Sequence, residues 1–162
     1  MKGWILMLGA ALAASPASAE DVPFNGRTLE VATEQEARPI LSMKGTQYVL
    51  PLTQAQLLAR VPSCLSAQGI TATTPDAAQG VVQAEVLTRF RASFANRILR
   101  SQLRLDVGEG SFQLSESALE VTEDAGDGTF AYVPLAQTGG IWEKGLETLV
   151  AAENKVVDCL YR

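Results

Sequence analysis

The chain has 162 residues with 13 basic and 18 acidic side chains, no histidine and two cysteines. Its formal charge of −5 argues against phosphate backbones as the general partner, so no nucleic-acid role is expected. The missing imidazole excludes Ser-His-Asp and Cys-His catalysis, and no C-x-x-C motif offers redox or zinc chemistry.

Met1 to Ala19 reads as a cleavable secretory signal peptide. Lys2 gives the positive start, Trp4 to Ala14 the apolar stretch, and Ala17, Ser18 and Ala19 the small residues before a cleavage point. The apolar stretch is well short of the roughly 20 residues that span a bilayer. No later segment is apolar and long enough to do so. The expectation is a periplasmic or secreted protein beginning near Glu20, with 12 basic against 18 acidic side chains. Export places Cys64 and Cys159 in an oxidising compartment, so a disulfide between them is expected.

Residues 20–42 read as a lead-in segment punctuated by Pro23, Asn25, Gly26 and Pro39, in which Thr28 to Ala32 can add an edge strand. The charged stretch Glu34 to Arg38 reads as a solvated connection or short helix. The domain proper is expected over 43–162. Lys44 to Leu50 forms a strand ended by Pro51, and Thr53 caps a helix whose apolar face is Leu57, Val61, Cys64 and Leu65. Pro62 interrupts that helix, which predicts a kink or two short helices.

From Val82 the apolar period changes to two. Val82, Ala84, Val86, Thr88 and Phe90 share one face of a strand, and Leu99, Ser101, Leu103, Leu105 and Val107 share one face of the next. Gly108, Glu109 and Gly110 turn the chain into a third strand. There the apolar parity slips from Phe112 and Leu114 to Leu119 and Val121, which predicts a bulge between Ser115 and Ala118. Thr129 to Val133 is a fourth short strand. Trp142, Leu146, Leu149, Val150, Val157 and Leu160 then line one face of a final helix, with Trp142 in the core.

The order β-α-β-β-β-β-α resembles one repeat of the TATA-binding-protein fold, a curved antiparallel sheet with two helices on one face. Between Lys44 and Val121 the chain also resembles a family of exported bacterial domains of unknown function described as TBP-like. The resemblance rests on the strand before Leu57-Leu58-Ala59-Arg60, then on Val81 to Phe90 and the paired strands Leu99 to Val107 and Phe112 to Val121. It implies an α+β fold and transfers no functional residue.

Five of nine arginines fall between positions 89 and 104. Arg89 and Arg91 share the polar face of one strand and Arg100 and Arg104 that of its neighbour, so the sheet face turned from the helices is a candidate surface for a protein or an anionic envelope component. The alternative is a solvated face whose arginines pair with Glu85, Glu116 or Glu120. Glu123, Asp124 and Asp127 lack the spacing of a calcium loop and read as a turn. Glu116 and Glu120 are the candidate catalytic carboxylates, and they are expected on an exposed face with nothing to raise a pKa. The expectation is a non-catalytic binding module with no cofactor and no metal. A periplasmic inhibitor or immunity protein, and a glycan hydrolase using carboxylates, are the alternatives.

Overall fold

A computed structural model describes residues 18–124 and 128–162. The predicted signal peptide lies outside these residues except for Ser18 and Ala19. The sheet begins at β1 (Ala19–Phe24) and β2 (Arg27–Ala32), joined by a two-residue turn in which Asn25 and Gly26 take φ of 45° and 74°. Asn-Gly suits this turn, because both central positions must be left-handed. Strand β3 (Ile40–Val49) follows. Thus 20–42, expected as a lead-in, supplies a hairpin and the first residues of β3, and Leu29, Val31 and Ile40 are buried in the common core. The strand expected over Thr28–Ala32 is β2, but it is internal, since β1 pairs outside it.

Helix α1 (Gln54–Ser66) starts on a capping box: Thr53 Oγ1 accepts from Gln56 N–H, and Gln56 Oε1 accepts from Thr53 N–H. Glu109, in the turn after the fifth strand, accepts from Gln54 N–H at 3.0 Å and fixes the helix start against the sheet. Pro62 does not divide this helix. One α1 runs through it, burying Leu57, Leu58, Val61, Cys64 and Leu65 along the stripe that faces the core. Burial of that continuous stripe outweighs the single backbone bond that proline cannot donate.

Strands β4 (Val81–Ala92), β5 (Ala95–Gly108) and β6 (Ser111–Asp124) form the long antiparallel centre, and β7 (Phe130–Pro134) pairs the second half of β6. The seven-stranded curved sheet has the order β1-β2-β3-β6-β5-β4, with β7 beside β6. Gly80 leads into β4 at φ 66°; a Cβ there would lie 2.2 Å from the Val107 carbonyl, so only glycine lets the chain enter so close to β5. Val82, Ala84, Val86, Thr88 and Phe90 are buried in alternation, as their period of two predicts. The bulge in β6 falls at Ala118 and Leu119, opposite Ser101, with Ala118 at φ 48°. It sits at the end of the expected stretch and runs one residue past it, with a consequence for Glu116.

Helix α2 (Trp142–Leu160) packs across the same face as α1, its Gly145 close against Phe90 and its Trp142 ring 5.5 Å from Phe24. Cys64 in α1 and Cys159 in α2 form the expected disulfide, with Cα atoms 5.7 Å apart. The bond closes a separation of 95 residues and ties the two helix ends over the sheet.

Candidate functional site: the outer sheet face at the β4–β5 turn

The two candidate catalytic carboxylates lie on opposite faces of β6. Glu116 keeps the even parity of Phe112 and Leu114, because the bulge comes after it, and it is 1% exposed beneath α2. This corrects the expectation of an exposed face with nothing to raise a pKa. Neither Glu116 oxygen has a hydrogen-bond donor. Burial, reinforced by the charge of Glu153, holds its carboxyl well above the usual range, tempered by the nearby Ser101 hydroxyl. Glu153, buried on α2, accepts from Arg27 Nε and Nη2 at 3.1 and 2.9 Å. Burial raises its carboxyl too, and the Arg27 guanidinium offsets part of that rise. Arg27 Nη2 also donates to Asn154 Oδ1 at 3.0 Å, so one buried guanidinium ties β2 to α2. Glu120 points the other way and is held by Arg100. The carboxylates therefore cannot flank one substrate, and the pair does not form a hydrolytic centre.

On the outer face all four arginines singled out by sequence are present, in two different states. Arg100 donates to Glu120 Oε2 through Nε and Nη2 at 3.0 and 2.5 Å, and its guanidinium carbon lies 4.0 Å over the Tyr132 ring. Arg104 forms a two-pronged pair with Asp106, at 2.7 to 3.0 Å. Both carboxylates hold their arginines more firmly protonated. Arg100 and Arg104 are thus spent within the sheet. Arg89 and Arg91 are exposed and make no hydrogen bond or ion pair among the described residues. They are the cations the face leaves available.

These two line a groove of about 810 Å³ at the end of the sheet, together with Ile98, Thr122, Phe130 and an edge of the otherwise inward-packed Phe90. Arg97 enters from β5; its Nη1 donates to the Thr122 carbonyl at 2.8 Å, while its buried Nε has no acceptor. Phe130 is 68% exposed, and Leu87, one step along β4 from Arg89 on the same face, is 56% exposed. Beside the groove the β4–β5 hairpin closes through Ser93 and Phe94, with Ala92 paired to Ala95. Both turn residues are left-handed, at φ 50° and 63°, and Phe94 is 97% exposed.

The β1–β2 hairpin closes in the same way. The same two-residue, doubly left-handed turn is built there from Asn-Gly and here from Ser-Phe. A phenylalanine held left-handed costs about 1–2 kcal/mol that glycine would not. Its ring recovers nothing from packing, since it stands in solvent. Sequence periodicity did not mark Phe94, because a lone aromatic between two strands carries no period. The signal was there in a turn lacking Gly and Asn.

No family model matches the chain, and no curated protein is similar to it at a significant level. Solved structures do resemble it. A TBP-like protein from Parabacteroides distasonis superposes with a TM-score of 0.60 at 8% identity, covering 86% of this chain and 96% of that one. The fold is TBP-like. A DUF4468 family protein from Bacteroides ovatus superposes with a TM-score of 0.53 at 10% identity, covering 88% and 91% of the two chains. Identities this low speak for the fold alone. Of the three acidic residues expected in a turn, Glu123 and Asp124 instead end β6, paired with Ala131 and Phe130, and Asp127 lies outside the described residues. Among the described residues no cluster of carboxylates, cysteines or histidines is arranged to hold a metal ion, and no helix is long and apolar enough to cross a membrane.

Proposed function

We propose that this chain is an exported, non-catalytic binding module of the periplasm or of the secreted fraction, and that it holds an acidic protein partner at the β4–β5 end of its outer sheet face. One observation carries the reading: a strained turn keeps a fully exposed Phe94 beside two arginines that have no carboxylate of their own. Phe94 and Phe130 supply apolar contact area, and Arg89 and Arg91 supply charge-assisted hydrogen bonds to carboxylates. The inhibitor and immunity readings belong to the same class and differ only in whom the face meets.

The test is charge reversal at the free pair. Arg89→Glu with Arg91→Glu should abolish co-purification of the partner from periplasmic extract and leave the melting temperature within about 2 °C, because neither arginine is bonded in the fold. Reversing Arg100 and Arg104 should weaken capture less, since both are already neutralised by Glu120 and Asp106. Equal capture by the Arg89/Arg91 variant and the parent chain overturns the site.

A further inference from the structure

Resting on that reading, we infer that the partner docks as an added β-strand along the open edge of β4, in the form of an extended segment with acidic residues at alternate positions. The edge declares its polarity in its first residues. Thr73 N–H donates to the Gln83 carbonyl at 2.7 Å and Gln83 N–H to Thr73 Oγ1 at 3.3 Å, while Asp76 and Val81 exchange N–H···O bonds at 2.8 and 3.1 Å. Odd-numbered residues of β4 therefore direct both backbone groups away from β5, and β4 pairs with β5 without a register shift up to Ala92. The chain's own segment uses this edge and leaves it after its last bridge, Ala72 to Ala84. Beyond it Leu87, Arg89 and Arg91 present six backbone donors and acceptors with no strand alongside them among the described residues.

Other sheet edges are blunted. Strand β1 carries Pro23 with the acidic Glu20 and Asp21, and β7 has five residues and ends at Pro134. The β4 edge has no proline and is long. Its charges lie at alternate positions on one face, so a strand added there sets its own alternate side chains against them. Carboxylates then face Arg89 and Arg91, and an apolar residue faces Leu87. On the inner side Thr88 Oγ1 is buried without a partner, and a serine or threonine on the incoming strand would satisfy it. Read antiparallel to β4, these demands spell Glu-Val-Glu-Thr-Val.

The probe is that pentapeptide flanked by serines, capped at both ends and carrying a fluorophore. Fluorescence anisotropy should show saturable binding to the full exported chain, lost when both glutamates are replaced by lysine. Leu87→Pro removes one outward N–H and leaves both arginines in place; it should weaken binding at least tenfold with the melting temperature little changed. Amide exchange supplies a readout free of mutation: the peptide should slow exchange at Leu87, Arg89 and Arg91 and leave Thr88 and Phe90, already bonded to β5, unaltered. Undiminished binding to the Leu87→Pro chain, or no slowing at the three odd positions, overturns strand addition while leaving the arginine face intact as a binding surface. Absence of peptide binding, or binding only to phosphatidylglycerol vesicles, overturns the inference as well.

Discussion

Replacing Glu116 by glutamine tests the buried carboxyl beneath α2. The native carboxyl is 1% exposed, lacks a donor at either oxygen and faces Glu153 from the helix, so its pKa is raised well above the ordinary range. The native state thus keeps a proton that the unfolded chain, titrating near 4.3, gives up. With one more proton on the folded side, stability is whole below the unfolded value and is lost as pH rises toward the raised native value. The slope is about 1.4 kcal/mol per pH unit, or roughly 5 °C in melting temperature for a domain of this size. Glutamine keeps the shape and cannot ionise. Thermal melts by circular dichroism from pH 4 to pH 8 should therefore show Glu116→Gln gaining on the parent chain as pH rises, by up to that slope. The titration of Glu153 acts on both chains and largely cancels in the difference. A constant offset reports only the altered hydrogen bonding of the amide. Parallel curves for the two proteins across the range would refute a buried, protonated Glu116.

Two further outcomes follow from the same packing. Cys64→Ser with Cys159→Ser removes a cross-link over 95 residues, for which chain entropy gives an upper figure of about 4.7 kcal/mol; calorimetry should show a loss on the order of 15 °C, and mass spectrometry of the parent chain should gain two protons on reduction. Arg27→Met strands the Glu153 carboxylate in the core and should cost about 3–5 kcal/mol in urea titrations near pH 8. Because protonation of Glu153 relieves the stranded charge, that cost should shrink on acidification; a loss independent of pH would show that Arg27 acts through its packing alone.

Much of the fold could be read from periodicity because one face of a curved sheet is buried and the other is not. The alternation from Val82 to Phe90 and from Leu99 to Val107 set strand faces that the structure reproduces residue by residue. Thr53 announced the start of α1, and the two cysteines, read with the expected export signal, announced the staple. Part of what escaped is of one physical kind. Glu116 and Glu153 occupy positions whose spacing is that of the core but whose chemistry is not, and composition reads such a residue as surface. Moving the bulge to Ala118 and Leu119 decides the side on which Glu116 lies, and no local signal fixes a bulge to within two residues. The arginine face was legible as a set of positions. Its division into spent and free cations was not, since it depends on Asp106 adjoining Arg104 and on Glu120 crossing from β6 to Arg100.

On the proposed function, the strain at Ser93 and Phe94 is maintained for binding. Ser93→Asn with Phe94→Gly gives this hairpin the residues that the β1–β2 turn already has. Melting and partner capture are then measured on one preparation. The predicted result is a gain of about 1–2 kcal/mol in stability together with loss of capture. A stabilised protein that captures its partner as well as the parent chain would show that the strained turn plays no part in binding.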